Sequence, residues 1–171
     1  MATNIIYCYC GEGAGKTTSA LGLALRALGH GQKVLVIQFL KWNRTTGEYL
    51  FKHPNYEIRQ FSSTEWIGVA TLTQADADVC RDGLATAHYK CTYEHINLLI
   101  LDELNYAVSV GMLEEDDAID CIRRLKVECP ELNIVLTGRA ATRKLRRIAD
   151  YVNIIKDVKS SGLVNDEGIQ W

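Results

Sequence analysis

A chain of 171 residues with 47% apolar residues and only two prolines holds one core of ordinary size, which excludes a disordered or fibrous class. The formal net charge of −2 excludes recognition of nucleic acid or a membrane surface through bulk positive charge. Cys8, Cys10, Cys80, Cys91, Cys121 and Cys129 form no Cys-x-x-Cys pair and no zinc spacing with histidine. Scattered free thiols predict a reducing, cytoplasmic compartment.

Residues 4–10 are apolar and β-prone, too short for a signal peptide, and run into a glycine loop; they read as a buried first strand. Lys16 to Leu28 reads as a helix that is apolar almost all round, expected to be buried on several sides. Gly29-His30-Gly31 ends it, because glycine accepts the left-handed cap conformation. Val34 to Ile37 is a second buried strand, 40–55 a long polar connection, and Tyr56 to Phe61 an edge-like third strand. Residues 62–72 have no period. Thr73 to Tyr93 reads as a helix, Leu98 to Leu101 as an apolar strand, and Leu113 to Val127 as an amphipathic helix with acidic residues in its first turn. Leu132 to Leu136 is a strand, Ala141 to Ala149 a basic helix with a solvated face, and Tyr151 to Ile155 the last strand. Apolar strands alternating with helices predict an α/β fold, a mostly parallel sheet with helices on both faces, in one domain over 1–171. No segment is long enough to cross a bilayer.

Gly11-Glu12-Gly13-Ala14-Gly15-Lys16-Thr17-Thr18 lies between the first strand and the first helix, the context of a phosphate loop. Glycines let backbone N–H groups approach a phosphate, and the helix N-terminus adds its positive dipole end. Lys16 supplies a point charge to phosphate oxygens, and the Thr17 hydroxyl suits Mg²⁺. The spacing is one residue shorter than the strict motif, since Cys10 stands where the first glycine belongs. Asp102 and Glu103 end an apolar strand, where a carboxylate holds Mg²⁺ directly or through water; Glu103 is a second metal contact or a base for a hydrolytic water. Lys41 and Arg139 follow other strands at the same carboxyl edge and are candidates for phosphate or transition-state charge, against the alternative of solvated cations. The four histidines form no constellation.

The loop, Arg26-Ala27-Leu28-Gly29-His30-Gly31, Val34 to Lys41 with its Gln-Phe-x-Lys ending, Leu101-Asp102-Glu103-Leu104-Asn105-Tyr106, Thr137-Gly138-Arg139, Ala149-Asp150 and Gly168-Ile169 together resemble the corrinoid adenosyltransferases of the RecA-like P-loop type. The resemblance implies ATP and a reduced corrinoid as substrates, transfer of the 5′-deoxyadenosyl group to Co(I), release of triphosphate, and Mg²⁺ anchored by Thr17, Asp102 and Glu103. It also implies an electron-donating reductase or flavoprotein as partner and a homodimer. Trp66 in Thr64-Glu65-Trp66 matches the tryptophan of an aromatic pair that the family sets against the corrin; a hydrophobic plug is its other reading. The chain departs from the family at Glu12, usually asparagine, and Ala14, usually lysine, and lacks the family's arm ahead of the first strand and the histidine after the C-terminal lysine, here Lys159-Ser160. ATP hydrolysis or phosphoryl transfer, and nucleotide or corrinoid binding without turnover, are the competing functions.

Overall fold

A computed structural model describes residues 4–62, 72–160, 162 and 167–169. Among the described residues six strands alternate with helices: β1 (Ile6–Cys10), α1 (Lys16–Gly29), β2 (Val34–Phe39), α2 (Gly47–Leu50), β3 (Tyr56–Phe61), α3 (Gln74–Tyr93), β4 (Leu98–Asp102), α4 (Leu104–Ser109), α5 (Glu115–Glu128), β5 (Asn133–Thr137), α6 (Arg143–Ile148) and β6 (Tyr151–Ile154). The strands form one sheet in the order β3-β2-β4-β5-β1-β6, and every pairing is parallel. All strands therefore end at one edge. The phosphate-loop strand β1 and the acidic strand β4 are separated by β5 alone, which brings Thr137 between Cys10 and Asp102.

β2 and β4 are buried along their whole length because helices cover both faces. On one face α1 packs Ala20, Ala24, Ala27 and Leu28 against Val34, Val36, Leu98, Ile100 and Val135. On the other, α3 and α5 bring Cys80, Leu84, Ile119, Ile122 and Leu125 against Leu35, Ile37, Leu99, Leu101 and Leu136. β3 and β6 are the edges, and all four residues of β6 are exposed. All six cysteines are free, and burial pushes the thiols of Cys8 and Cys80 up to about 12, so they behave as small apolar core residues.

One expectation is corrected. Helix α1 is not buried on several sides: Leu25 is 69% exposed, because a single sheet face covers the helix and its outer apolar residues form the wall of a cleft. The expected left-handed glycine that ends α1 is Gly31, with φ 72°, while His30 stays at φ −95°. The connection 40–55 contains the short α2, and α4 starts after a left-handed turn at Glu103; both helices are shorter than the window in which a helical period is visible. Thr73 caps α3, its amide donating to Asp76 Oδ2 at 2.8 Å. Among the described residues no helix is long and apolar enough to cross a membrane.

Candidate nucleotide site at the carboxyl edge

The strand ends supply the site, and they do so in unusual backbone conformations. Leu40, Glu103 and Ala140, at or just beyond the ends of β2, β4 and β5, have φ of 55°, 61° and 48°. Non-glycine residues in this region store strain, which concentrates at ligand-binding edges. After the turn at Leu40, Lys41 reaches back to Asp102 at the sheet edge, while Leu104 and Ala141, which follow the other two, pack into or against the core.

Asp102 is the centre. It is fully buried, and both of its oxygens are saturated. Oδ1 accepts from the hydroxyls of Thr17 at 2.9 Å and Thr137 at 2.6 Å. Oδ2 accepts from Gln38 Nε2 at 3.0 Å and Lys41 Nζ at 2.6 Å. Burial alone would push this carboxyl up; the Lys41 ammonium and the hydrogen bonds outweigh it and hold it below the ordinary carboxylate value. Burial pulls Lys41 down, and Asp102 more than reverses that, so its ammonium is held above the ordinary lysine value. Lys41 Nζ also lies 3.3 Å from Thr17 Oγ. An ammonium thus sits against the hydroxyl and the carboxylate that would share a divalent cation.

Glu103 caps α4 from the left-handed region, with its amide donating to Thr137 Oγ at 3.0 Å. Burial, then the neighbouring Asp102 charge, pushes its carboxyl above the ordinary value. Lys16 is 7% exposed and its Nζ donates to the Gly13 carbonyl at 2.7 Å, within its own loop. Arg139 is exposed and pairs with Glu12 at 3.5 Å across the mouth of the loop.

A cavity of about 890 Å³ joins these groups. Ala14, Gly15, Lys16, Thr17, Thr18, Lys41, Glu103 and Arg139 make its polar end; Leu21, Ala24, Leu25, Leu28, Phe51 and Tyr56 make an apolar end, with Gly47, Glu48, Gly168 and Ile169 also lining it. A polar end for phosphates continuous with an apolar slot for a ring system is the form of a nucleotide site. The sequence-derived residues Lys16, Thr17, Lys41, Asp102, Glu103 and Arg139 are thus brought to one place, although Arg139 contacts Glu12 instead of the acidic strand. Trp66 lies outside the described residues.

The glycines divide by role. Gly15 has φ 102° with open space around it, so its need is conformational. Gly11 and Gly13 are packed against the chain beyond β6: a Cβ at Gly11 would lie 2.4 Å from the Ile155 carbonyl oxygen, and one at Gly13 would lie 2.7 Å from the Asp157 nitrogen. The Gly13 amide donates to Ile155 O at 3.0 Å, so that N–H faces protein.

Sequence reasoning missed three contributors. Gln38 is a fully buried amide at the end of an apolar strand, and that polar interruption was its signal. Thr137 stood inside a quoted motif without a role. Asp157 had no signal, since its contact with the loop joins residues 143 apart.

Residues Thr17, Asp102 and Glu103 fit Mg²⁺. A threonine hydroxyl and one or two carboxylates are hard oxygen donors, and Mg²⁺ is usually shared between so few protein groups and nucleotide phosphates. No group of three or more His, Cys, Asp or Glu side chains suited to a metal appears among the described residues.

Comparison with known proteins gives the family. Residues 2–171 match the family model described as ATP:corrinoid adenosyltransferase BtuR/CobO/CobP. A corrinoid adenosyltransferase of Escherichia coli is 31% identical over 156 residues, covering 91% of this chain and 78% of that protein. Corrinoid adenosyltransferase CobA of Salmonella typhimurium is 30% identical, covering 98% of this chain and 85% of its own. A corrinoid adenosyltransferase of Pseudomonas aeruginosa is 30% identical over 98% of this chain and 83% of its own length. With a buried Asp102 tied to the phosphate-loop threonine at the carboxyl edge of an all-parallel sheet, this chain belongs to the ATP:corrinoid adenosyltransferase family.

Proposed function

We propose that the protein transfers the 5′-deoxyadenosyl group of ATP to Co(I) of a reduced corrinoid. The observation that carries the reading is the cluster of Thr17, Asp102 and Lys41 beside Lys16, in a cavity with a polar and an apolar end. The cobalt electron pair forms a bond to C5′ of the ribose, the C5′–O bond breaks with its electrons going to oxygen, and triphosphate leaves. The chain need not activate water. It has to hold a leaving group whose negative charge grows and to fix the ribose carbon in line with cobalt.

Lys16, Lys41 and Arg139 are the cations for that charge, and the loop residues Gly11 to Thr18 position the phosphates. Thr17, Asp102 and Glu103 would hold Mg²⁺, which neutralises phosphate oxygens when bound. Asp102 keeps the Thr17 hydroxyl oriented through the 2.9 Å hydrogen bond. The apolar wall from Leu21, Leu25 and Phe51 takes the nucleoside and excludes water. Trp66 serves as a corrin-facing aromatic. A single domain, a cytoplasmic location, a homodimer and an electron-donating reductase or flavoprotein complete the proposal by family resemblance, without nucleic-acid or membrane partners.

The test is to mix the protein with chemically reduced cob(I)alamin and ATP and follow the cobalt spectrum and the phosphate products together. Adenosylcobalamin with inorganic triphosphate is expected. ADP and phosphate without an alkylated corrinoid would overturn the proposal in favour of hydrolysis, and binding of both substrates without products would make the protein a carrier.

A further inference from the structure

We infer that Asp157 is a built-in competitor of the nucleotide, an anion supplied by the chain itself to an amide of the phosphate loop. The inference rests on the phosphate-loop reading above. After β6 the chain crosses the loop and is locked to it by backbone contacts. The Ile155 amide donates to Cys10 O at 2.7 Å and the Gly13 amide to Ile155 O at 3.0 Å. Gly11 and Gly13 have no Cβ because the carbonyl of Ile155 and the backbone of Lys156 and Asp157 fill that space. The next loop amide, that of Ala14, donates to Asp157 Oδ1 at 3.0 Å. Ala14 is also part of the cavity lining, beside Gly15, Lys16 and Thr17.

A carboxylate oxygen and a phosphate oxygen present the same acceptor to a backbone N–H. Asp157 therefore satisfies a donor that a triphosphate would use, and it brings a negative charge to the rim of a polyanion site. Its placement is not that of a wandering surface side chain, since the backbone on its N-terminal side is fixed by two hydrogen bonds and two glycine contacts. The loop carries a second acid, Glu12, and has Ala14 in place of a family lysine, so Lys16 is the loop's lone cation. Asp157 then sets how weakly the empty loop attracts phosphate, and favours metal-complexed triphosphate, whose charge is partly cancelled, over the free polyanion.

The experiment measures binding of inorganic triphosphate and of ATP, each with and without Mg²⁺, by calorimetry at low and high salt. The proteins are the unaltered chain, Asp157→Asn, Asp157→Ala and Lys16→Ala. Asparagine keeps an acceptor oxygen for the Ala14 amide and removes the charge; alanine removes both. The expected result is tighter binding in both Asp157 variants, by about three- to tenfold at low salt, with the gain shrinking as salt screens it. The gain should be larger for free triphosphate than for its Mg²⁺ complex. If Asp157 merely braces the loop, Asp157→Asn will bind like the unaltered chain and Asp157→Ala more weakly, and that pattern overturns the proposal. Lys16→Ala separates the two readings. If it loses affinity while both Asp157 variants stay unchanged, the phosphate loop stands and the competitor falls. If it binds as well as the unaltered chain, both fall.

Discussion

Lys41→Met removes the cation from Asp102 and leaves the rest of its shell in place. Asp102 is fully buried and would keep the hydroxyls of Thr17 and Thr137 and the Gln38 amide. Breaking a buried ion pair by deleting one partner costs about 3–5 kcal/mol, because the remaining charge is stranded. Two features of the site reduce that figure. Three donors remain, and the Lys41 side chain is 28% exposed, so water reaches the gap that methionine leaves. The expected loss is about 2–3 kcal/mol at neutral pH. For 171 residues at about 2.1 cal/mol/K each, this is a fall in Tm of about 6–8 °C. Urea denaturation at pH 7 and below provides the assay. The folded state holds the Asp102 carboxyl below its ordinary value, so the stability it contributes is present above the ordinary carboxylate pKa and lost as pH falls through the folded one. The gap between the two proteins should therefore close in acid. Mn²⁺ should raise the Tm of Lys41→Met more than that of the unaltered chain, because the metal replaces the ammonium. A variant as stable as the unaltered chain at pH 7 would refute the reasoning. A gap that persists once Asp102 is protonated would assign the loss to packing of the lysine stem.

Lys16→Ala should weaken ATP binding by about a hundredfold in calorimetry, since a buried ammonium inside the loop is lost. Glu103→Gln should raise thermal stability at neutral pH: the folded carboxyl is held above its ordinary value, so ionisation costs stability as pH rises, and the gain should vanish below the ordinary carboxylate pKa. Gly11→Ala should destabilise by about 2–4 kcal/mol in the same denaturation assay, from a left-handed φ of 100° and the collision with Ile155 O, while Gly15→Ala, with open space around it, should lose about 1–2 kcal/mol through conformation alone.

Much of the carboxyl edge was legible because it rests on local rules. A glycine run between an apolar strand and a small-residue helix, and two acids ending a strand of four apolar residues, place Lys16, Thr17 and Asp102 at the same edge once the strands are parallel. The period of α1 was misread for a physical reason. Leu21 and Leu25 are apolar as core residues are, but they line a cleft, and a hydrophobic count does not distinguish a core wall from a ligand wall. Short elements such as α4 escape because six residues do not complete two helical turns.

The contacts that join distant segments were not legible, and they decide how the site works. Lys41 looked like a free cation for phosphate; the fold instead gives it to Asp102 at 2.6 Å. The loop glycines looked like a cradle for phosphate; two of them are glycine because the chain beyond β6 lies against them. Both findings have one cause. A phosphate loop beside a buried acid is a pair of opposite fields, and in the folded chain each field is met by an internal ion, Lys41 on the acidic side and Asp157 on the amide side. On the proposed function, nucleotide and metal would enter by exchange: Asp102 would give up the Lys41 ammonium to hold the metal, and the Ala14 amide would give up the Asp157 carboxylate for a phosphate oxygen. Binding would thereby be coupled, because a displaced Lys41 would be free to meet the triphosphate. Removing the internal anion should loosen that coupling, so the Mg²⁺ dependence of triphosphate affinity should be weaker in Asp157→Asn than in the unaltered chain, whereas Lys41→Met, which leaves Asp102 open to the metal and takes a cation from the free triphosphate, should show a stronger one.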